Sequence, residues 1–224
     1  MTGLRDRRAA RTATRAVVPA IVRNAVQFHA ALWRSLLRWA SSRRRPDTGP
    51  EETAFAYHAL MAPFLLTMLV VSVIEIVAVH LLLPWPTARA VLLVLGIWST
   101  FLVAGILAAY VVHPHLVGPD RLRVRLGADT GIAVPLGAVR SIRRVQRDHS
   151  GTSVQVNAHP DGDHLALAVS GRTTVEVVLD RVVPVDLPRD RAARISRLSF
   201  DADEPGRLVA EVRSRLRTDA EGAR

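Results

Sequence analysis

The stretch that decides the fold is Leu60–Val112, LMAPFLLTMLVVSVIEIVAVHLLLPWPTARAVLLVLGIWSTFLVAGILAAYVV. It holds two apolar runs. The first reaches from about Leu60 to Leu83, with Glu75 as its only charged residue; the second runs from Ala90 to Val112 with none. At about 1.5 Å of rise per residue, roughly 23 residues make a helix of about 34 Å, enough to cross a hydrocarbon core of about 30 Å. Buried helices of soluble domains seldom run so long without a polar face. The reading is therefore two transmembrane helices. Pro84-Trp85-Pro86-Thr87-Ala88-Arg89 joins them. So short a connection permits only a hairpin, which makes the spans antiparallel neighbours. The prolines break the helix, and Trp85 suits a membrane interface.

Charge extends the reading outward. The chain has 224 residues and a formal net charge of +10, and every basic residue is an arginine. The segment before Pro46 holds eleven arginines against a single acid, Asp6, so it carries the whole excess and the rest of the chain is neutral. Charge confined to one segment argues against a basic nucleic-acid-binding body, whose folded face should carry it. The absence of cysteine excludes disulfides, thiolate catalysis and cysteine-built zinc sites. The loop between the spans has one arginine, Arg89, while Arg121, Arg123 and Arg125 follow the second span closely. The positive-inside rule then places both termini in the cytoplasm of a multi-pass plasma-membrane protein. A signal peptide fits poorly, because the long apolar run starts late and lacks a small-residue cleavage site.

The segment Thr12–Ala40 reads as a helix. With Ala25 at zero and 100° per residue, Val18, Ile21, Val22, Phe28, Leu32, Leu36 and Trp39 fall within about 60° of it. Arg23, Arg34 and Arg38 fall opposite, at about 160° to 220°. The favoured reading is an interfacial helix whose arginines, with Arg43, Arg44 and Arg45 of the following hydrophilic linker, meet an anionic inner leaflet. The alternative is a stripe packed on this protein or on a second copy.

After His113-Pro114-His115 the hydrophobic period changes from 3.6 to 2. Leu122, Val124 and Leu126 alternate with Arg121, Arg123 and Arg125. Further short runs follow at Ile132–Val134, Val139–Val145, Val154–Val156, Leu165–Val169, Val175–Leu179 and Ile195–Phe200. Gly127–Gly131, Ser150-Gly151, Pro160-Asp161-Gly162-Asp163 and Ser170-Gly171 supply turns. About seven strands result, with Pro184–Arg194 the least regular connection. A closing helix carries Leu208, Val209, Val212 and Leu216 on one stripe, with Asp203 as its expected N-cap and Pro205 in its first turn. The class is α+β. The chain divides into an arginine-rich helix and linker (1–53), a transmembrane hairpin (54–116), a β domain (117–218) and a tail (219–224).

Seven strands closed by one amphipathic helix resemble the pleckstrin-homology-like barrel of bacterial membrane-tethered proteins. From about Tyr57 onward the chain also resembles a family of uncharacterised bacterial two-span integral membrane proteins. The carrying stretches are Ile74–Trp85, Leu122–Gly127 with Val134-Pro135-Leu136, and Val175–Arg181 with Val183-Pro184-Val185. The resemblance implies an architecture and no residue roles.

Glu75 is the sharpest single residue. A carboxylate about 12 Å inside the span is costly, and such residues are usually functional. Counting back from the hairpin places it beside Trp98 and Ser99. The plain reading is a protonated carboxyl bonded to Ser99 or the Trp98 indole, holding the hairpin together; the functional one is a proton-linked or ion site. His80 lies about 140° round the helix and should not pair with Glu75. The loop with Asp148, His149, His159, Asp161, Asp163 and His164 could hold a divalent metal, but ordinary turn chemistry explains it better. Arg140, Arg143, Arg144 and Arg147 form a basic cluster read equally as a headgroup-facing surface or a solvated strand edge. There is no lysine for a phosphate-binding P-loop, no GxSxG elbow and no HExxH helix. The expected protein is a membrane-anchored, non-enzymatic scaffold or regulatory module, without cofactor, whose β domain docks a protein or lipid headgroup. Its partners would be an anionic inner leaflet and a protein or a second copy, with no nucleic acid. The competing class is an oligomeric transporter or channel using Glu75.

Overall fold

The computed structural model describes residues 3–41, 49, 51–128, 130–187 and 191–222, with side chains between residues 22 and 218. Among the described residues four helices and nine strands make an α+β fold. Helix α1 is Gly3–Ala40, α2 is Ala62–Leu82 and α3 is Pro86–Val112. Both α2 and α3 are long and apolar enough to cross a membrane, and both are mostly exposed. Their boundaries follow from proline: Pro63 sits in the first turn of α2, and Pro86 opens α3, where a missing N–H costs nothing. Gly96 sets how closely the two approach, since a Cβ there would lie 2.9 Å from the Ile76 side chain.

Part of the α1 stripe packs on α3, as the alternative reading of it expected. Leu32 is buried, and a Cβ on Gly105 of α3 would come within 3.1 Å of it. Trp33 meets Phe101 with ring centroids 5.3 Å apart, and His29 meets Trp98 at 5.5 Å. These contacts advance in the same direction along both helices, so α1 runs alongside α3 in the same sense. Ser35 is buried beside them and returns its hydroxyl to the Ala31 carbonyl at 2.9 Å. Val22, Phe28 and Trp39 of the stripe stay exposed. Val18 and Ile21 fall outside the described side chains.

The β region forms two open sheets, where a closed seven-stranded barrel was expected. The first has the order β1-β2-β3-β4, from Thr53–Phe55, His115–Val117, Arg121–Leu126 and Thr130–Pro135. A single 3-10 turn, Leu136–Ala138, leads into the second sheet. That sheet has the order β5-β8-β9-β7-β6, from Val139–Asp148, Arg172–Leu187, Arg191–Phe200, Asp163–Leu167 and Val154–Asn157. Strands β7 and β9 run parallel, which departs from the antiparallel meander of the expected barrel. Strand β8 continues through Pro184 to Leu187 and pairs with the start of β9, so the described parts of the segment read as irregular, Pro184–Leu187 and Arg191–Arg194, are paired strand. Val183, Val185 and Leu187 keep period 2 and point inward.

The core lies between the sheets. Leu122, Val124, Ile132 and Val134 face Ile142, Leu165, Val175, Val177, Leu198 and Phe200. Helix α4, Pro205–Gly222, closes it with Leu208, Val209 and Val212. Asp203 is not the cap of that helix. Its carboxylate accepts the backbone N–H groups of His58 and Ala59, at 3.2 and 3.0 Å, just before α2. At the tip of the β7–β8 connection Ser170 and Gly171 both have positive φ (49° and 73°), the conformation of a two-residue type I′ turn.

Candidate functional site

Strand β1 precedes α2 and strand β2 follows α3, and the two pair: Thr53 with Val117, Ala54 with Leu116, Phe55 with His115. Both ends of the apolar hairpin are thereby built into one sheet. A buried aromatic bolt locks the joint. Tyr57 stacks on His115 at 4.4 Å between centroids, and Phe200 meets the other side of the imidazole edge-on at 5.0 Å. The Arg125 N–H donates to His115 Nδ1 at 3.1 Å, so the ring proton sits on Nε2 and is donated to the Asp201 carbonyl at 2.7 Å. The imidazole is neutral. Burial pushes its pKa down from 6.5 to about 4, against the upward pull of the Asp201 carbonyl bond. Burial likewise raises the Tyr57 phenol, whose oxygen accepts the Gly127 N–H at 2.8 Å. Both groups are sealed and satisfied, and their role is structural.

A second constellation lies on the outward face of the five-stranded sheet. Glu176 on β8 is 1% exposed and meets Arg143 (Nε–Oε1 2.9 Å), Arg147 (2.9 Å) and Arg197 (4.0 Å). Burial alone would raise this carboxyl. The Arg143 hydrogen bond and the charges of Arg147, Arg143 and Arg197 outweigh it, and Glu176 sits below its ordinary pKa. The register explains the convergence: Glu176 pairs with Arg143 on β5 and with Ser199 on β9, next to Arg197. His164 bonds Ser199 through Nε2 at 2.9 Å, and His149 bonds Thr173 at 3.0 Å. Burial and the nearby arginines hold His164 below its ordinary value. Three guanidiniums around one carboxylate leave a net positive face.

The loop weighed for a metal is drawn apart by these bonds. His149 and His164 turn to Thr173 and Ser199, while the exposed His159 lies 3.8 Å from Asp161. Among the described residues no group of three His, Asp or Glu side chains could hold an ion.

In the helices, Glu75 is exposed on α2 and makes no hydrogen bond among the described residues, with Ser99, Trp98 or His80. The Ile76–Gly96 contact keeps it near the level of Trp98, but those side chains face elsewhere: Trp98 contacts His29, and Ser99 is exposed. His80 is exposed too. Of the arginines expected at a lipid surface, Arg23, Arg34, Arg38 and Arg121 are exposed, and Arg123 and Arg125 are half-buried. Arg123 lies 3.7 Å from Glu52. Arg43, Arg44 and Arg45 lie outside the described residues. Arg34 and Arg38 meet His113 in a cleft of about 500 Å³, lined also by Ala31, Ser35, Leu37 and Ala128, where α1, the end of α3 and the β3–β4 turn converge.

Sequence reasoning passed over Tyr57, His115, Asp201 and Glu176. For Glu176 a signal existed: it is a lone acid in an apolar alternating strand, in a region rich in arginine. For Tyr57 and His115 there was none, because their pairing spans the whole hairpin.

Compared with known proteins, the chain matches no family model, no curated protein and no solved structure. The family resemblance drawn from the sequence thus finds no match, and two long apolar helices followed by a two-sheet β region are what stands.

Proposed function

We propose that this protein is a membrane-anchored, non-enzymatic scaffold or regulatory module. Its hairpin crosses the plasma membrane with both termini cytoplasmic, and its β domain docks an acidic protein partner on the face around Glu176. The observation that carries this reading is the fastening of the domain to both hairpin ends, through β1–β2 pairing and the Tyr57–His115 bolt. Such a joint holds a domain at a fixed place and attitude beside the membrane, which a docking platform needs. The face offers net positive charge on a rigid sheet, and charge complementarity sets orientation and encounter rate. Among the described residues, the hydroxyls bonded to histidines in this region, Ser199 by His164 and Thr173 by His149, are both buried and closed to a substrate.

The test is co-purification of the full chain from membranes, against a variant with Arg197→Gln. Arg143 and Arg147 still hold Glu176 in that variant, so the fold should stand. An acidic partner retained by the unaltered chain and lost from the variant supports docking; identical partners from both overturn it. One observation favours a second reading. An exposed, unbonded carboxylate on an apolar helix is costly in lipid, so Glu75 calls for a partner helix or an oligomer around an ion path. Crosslinked rings of several copies, abolished by Glu75→Gln, would replace the scaffold reading.

A further inference from the structure

We propose that the face around Glu176 binds a phosphate monoester, carried on a phosphorylated side chain of the partner protein. This names the acidic group that is taken, and rests on the docking reading above. Three neighbouring strands build the site. The ladder sets Arg143 of β5 and Ser199 of β9 opposite Glu176 on β8, and pairs Arg197 with Val178. Arg143 donates its Nε–H to Glu176 Oε1 at 2.9 Å; Arg147 lies 2.9 Å from Oε2 and Arg197 4.0 Å. All three guanidiniums reach one carboxylate, so a single tetrahedral group can touch more than one of them. Glu176 forms the base of the site at 1% exposure, while the arginine side chains stay between 38% and 54% exposed. Arg197 makes no hydrogen bond among the described residues, which leaves its whole fork to a ligand.

Charge selects the monoester. Three positive charges against one negative leave two positive. Among the described residues no other carboxylate acts on Glu176 or on the neighbouring His164. Asp161 and Asp180 share a cleft with Arg197, but both are exposed and neither is ion-paired with it. A phosphorylated side chain carries a charge of about −1.5 to −2 and three strong acceptor oxygens, which matches the excess and suits several forks at once. A carboxylate, or the phosphodiester of a membrane lipid, brings a single charge. The buried Glu176 already holds Arg143 and Arg147 in place, so binding costs little of their side-chain freedom.

The experiment uses the full chain in a neutral detergent. Phosphorus NMR follows the binding of N-acetyl-phosphoserine amide, with N-acetyl-glutamate amide as competitor. The unaltered chain should bind the probe, Arg197→Gln should weaken binding about tenfold, and Arg121→Gln on the other sheet should leave it unchanged. Near-ultraviolet circular dichroism checks that both variants keep the fold. Partners that co-purify from membranes should be lost after phosphatase treatment and eluted by the probe. Equal binding by the unaltered chain and Arg197→Gln overturns the site. Displacement of the probe by an equal concentration of the glutamate amide overturns the phosphate assignment and leaves acidic docking standing. Displacement by phosphatidylglycerol in mixed micelles overturns the protein-borne source, as does recovery of the same partners from phosphatase-treated and untreated membranes. Docking itself fails only if the unaltered chain and Arg197→Gln retrieve identical partners.

Discussion

Acidification from pH 7 to pH 5 should loosen the joint between hairpin and β domain through one side chain, His115. Its pKa is about 4 when folded against an ordinary 6.5. Between those values the unfolded chain binds more protons, so stability falls as pH falls. The contribution is complete above pH 6.5 and is lost as pH drops through 4. From these values the loss between pH 7 and pH 5 is about 2 kcal/mol, approaching about 3 kcal/mol at pH 4. Two acids act in opposite senses: burial raises Asp201, which opposes the trend, and Glu176, held low by its arginines, reinforces it. His164, lowered by burial and the nearby arginines, adds in the same direction as His115. The assay is thermal unfolding of the detergent-solubilised chain by near-ultraviolet circular dichroism at both pH values. A loss of about 2 kcal/mol corresponds to a fall of roughly 4–8 °C. His115→Phe forfeits the bonds to Arg125 and Asp201 and starts lower, yet its pH dependence should shrink to the His164 share. A wild-type melting point equal at both pH values, or a variant that keeps the full slope, refutes the burial argument.

Three further outcomes follow from the packing. Gly105→Leu should push α1 off α3 at a cost of about 1–3 kcal/mol, the usual range for overpacking; a cysteine pair at positions 33 and 101, clean in a chain without native cysteine, should then crosslink poorly. Asp203→Ala strips the acceptor from two backbone N–H groups ahead of α2 and should cost about 1–3 kcal/mol, with faster proteolysis at residues 58–61 and partial recovery in Asp203→Asn. Glu176→Ala leaves Arg143, Arg147 and Arg197 facing one another; because those arginines are well exposed, solvent screens the repulsion. The expected loss is about 1–3 kcal/mol, and it should shrink as salt rises from about 0.1 M to about 1 M and the screening length falls from about 10 Å to about 3 Å.

What could be read in the sequence followed local physics. The two long helices announce themselves by run length, and proline marks their starts within a few residues. Seven of the nine strands are visible as period-2 alternation. The two that were missed, β1 and β2, are three residues each, too short for any period, and exist only because they pair across the hairpin. Strand β8 was read only over Val175–Leu179; it runs on to Leu187, with Pro184 exposed and the inward residues Val183, Val185 and Leu187 still packed. The parallel placing of β7 beside β9 is a matter of topology that alternation does not encode. The amphipathic stripe of α1 was legible, but an apolar stripe looks the same whether lipid or protein covers it. Gly105, the small residue that lets Leu32 come close, lies far along the chain. Glu75 shows the opposite failure: its level in the hairpin could be counted, but the side it faces depends on how α2 rotates against Gly96.

The pairing of β1 with β2 also imposes an order of events on biosynthesis. The first sheet cannot complete until both apolar helices have been made, because one of its strands is translated before them and the other after. In a chain whose helices cross a bilayer, insertion of only one would strand the two halves of that sheet in different compartments. Phe55 and Tyr57 would then never meet His115, and the domain that follows would lack an edge strand and its bolt. Completion of the β domain is in this sense a receipt for correct insertion, and a misinserted chain would present itself to proteases as an unfinished sheet.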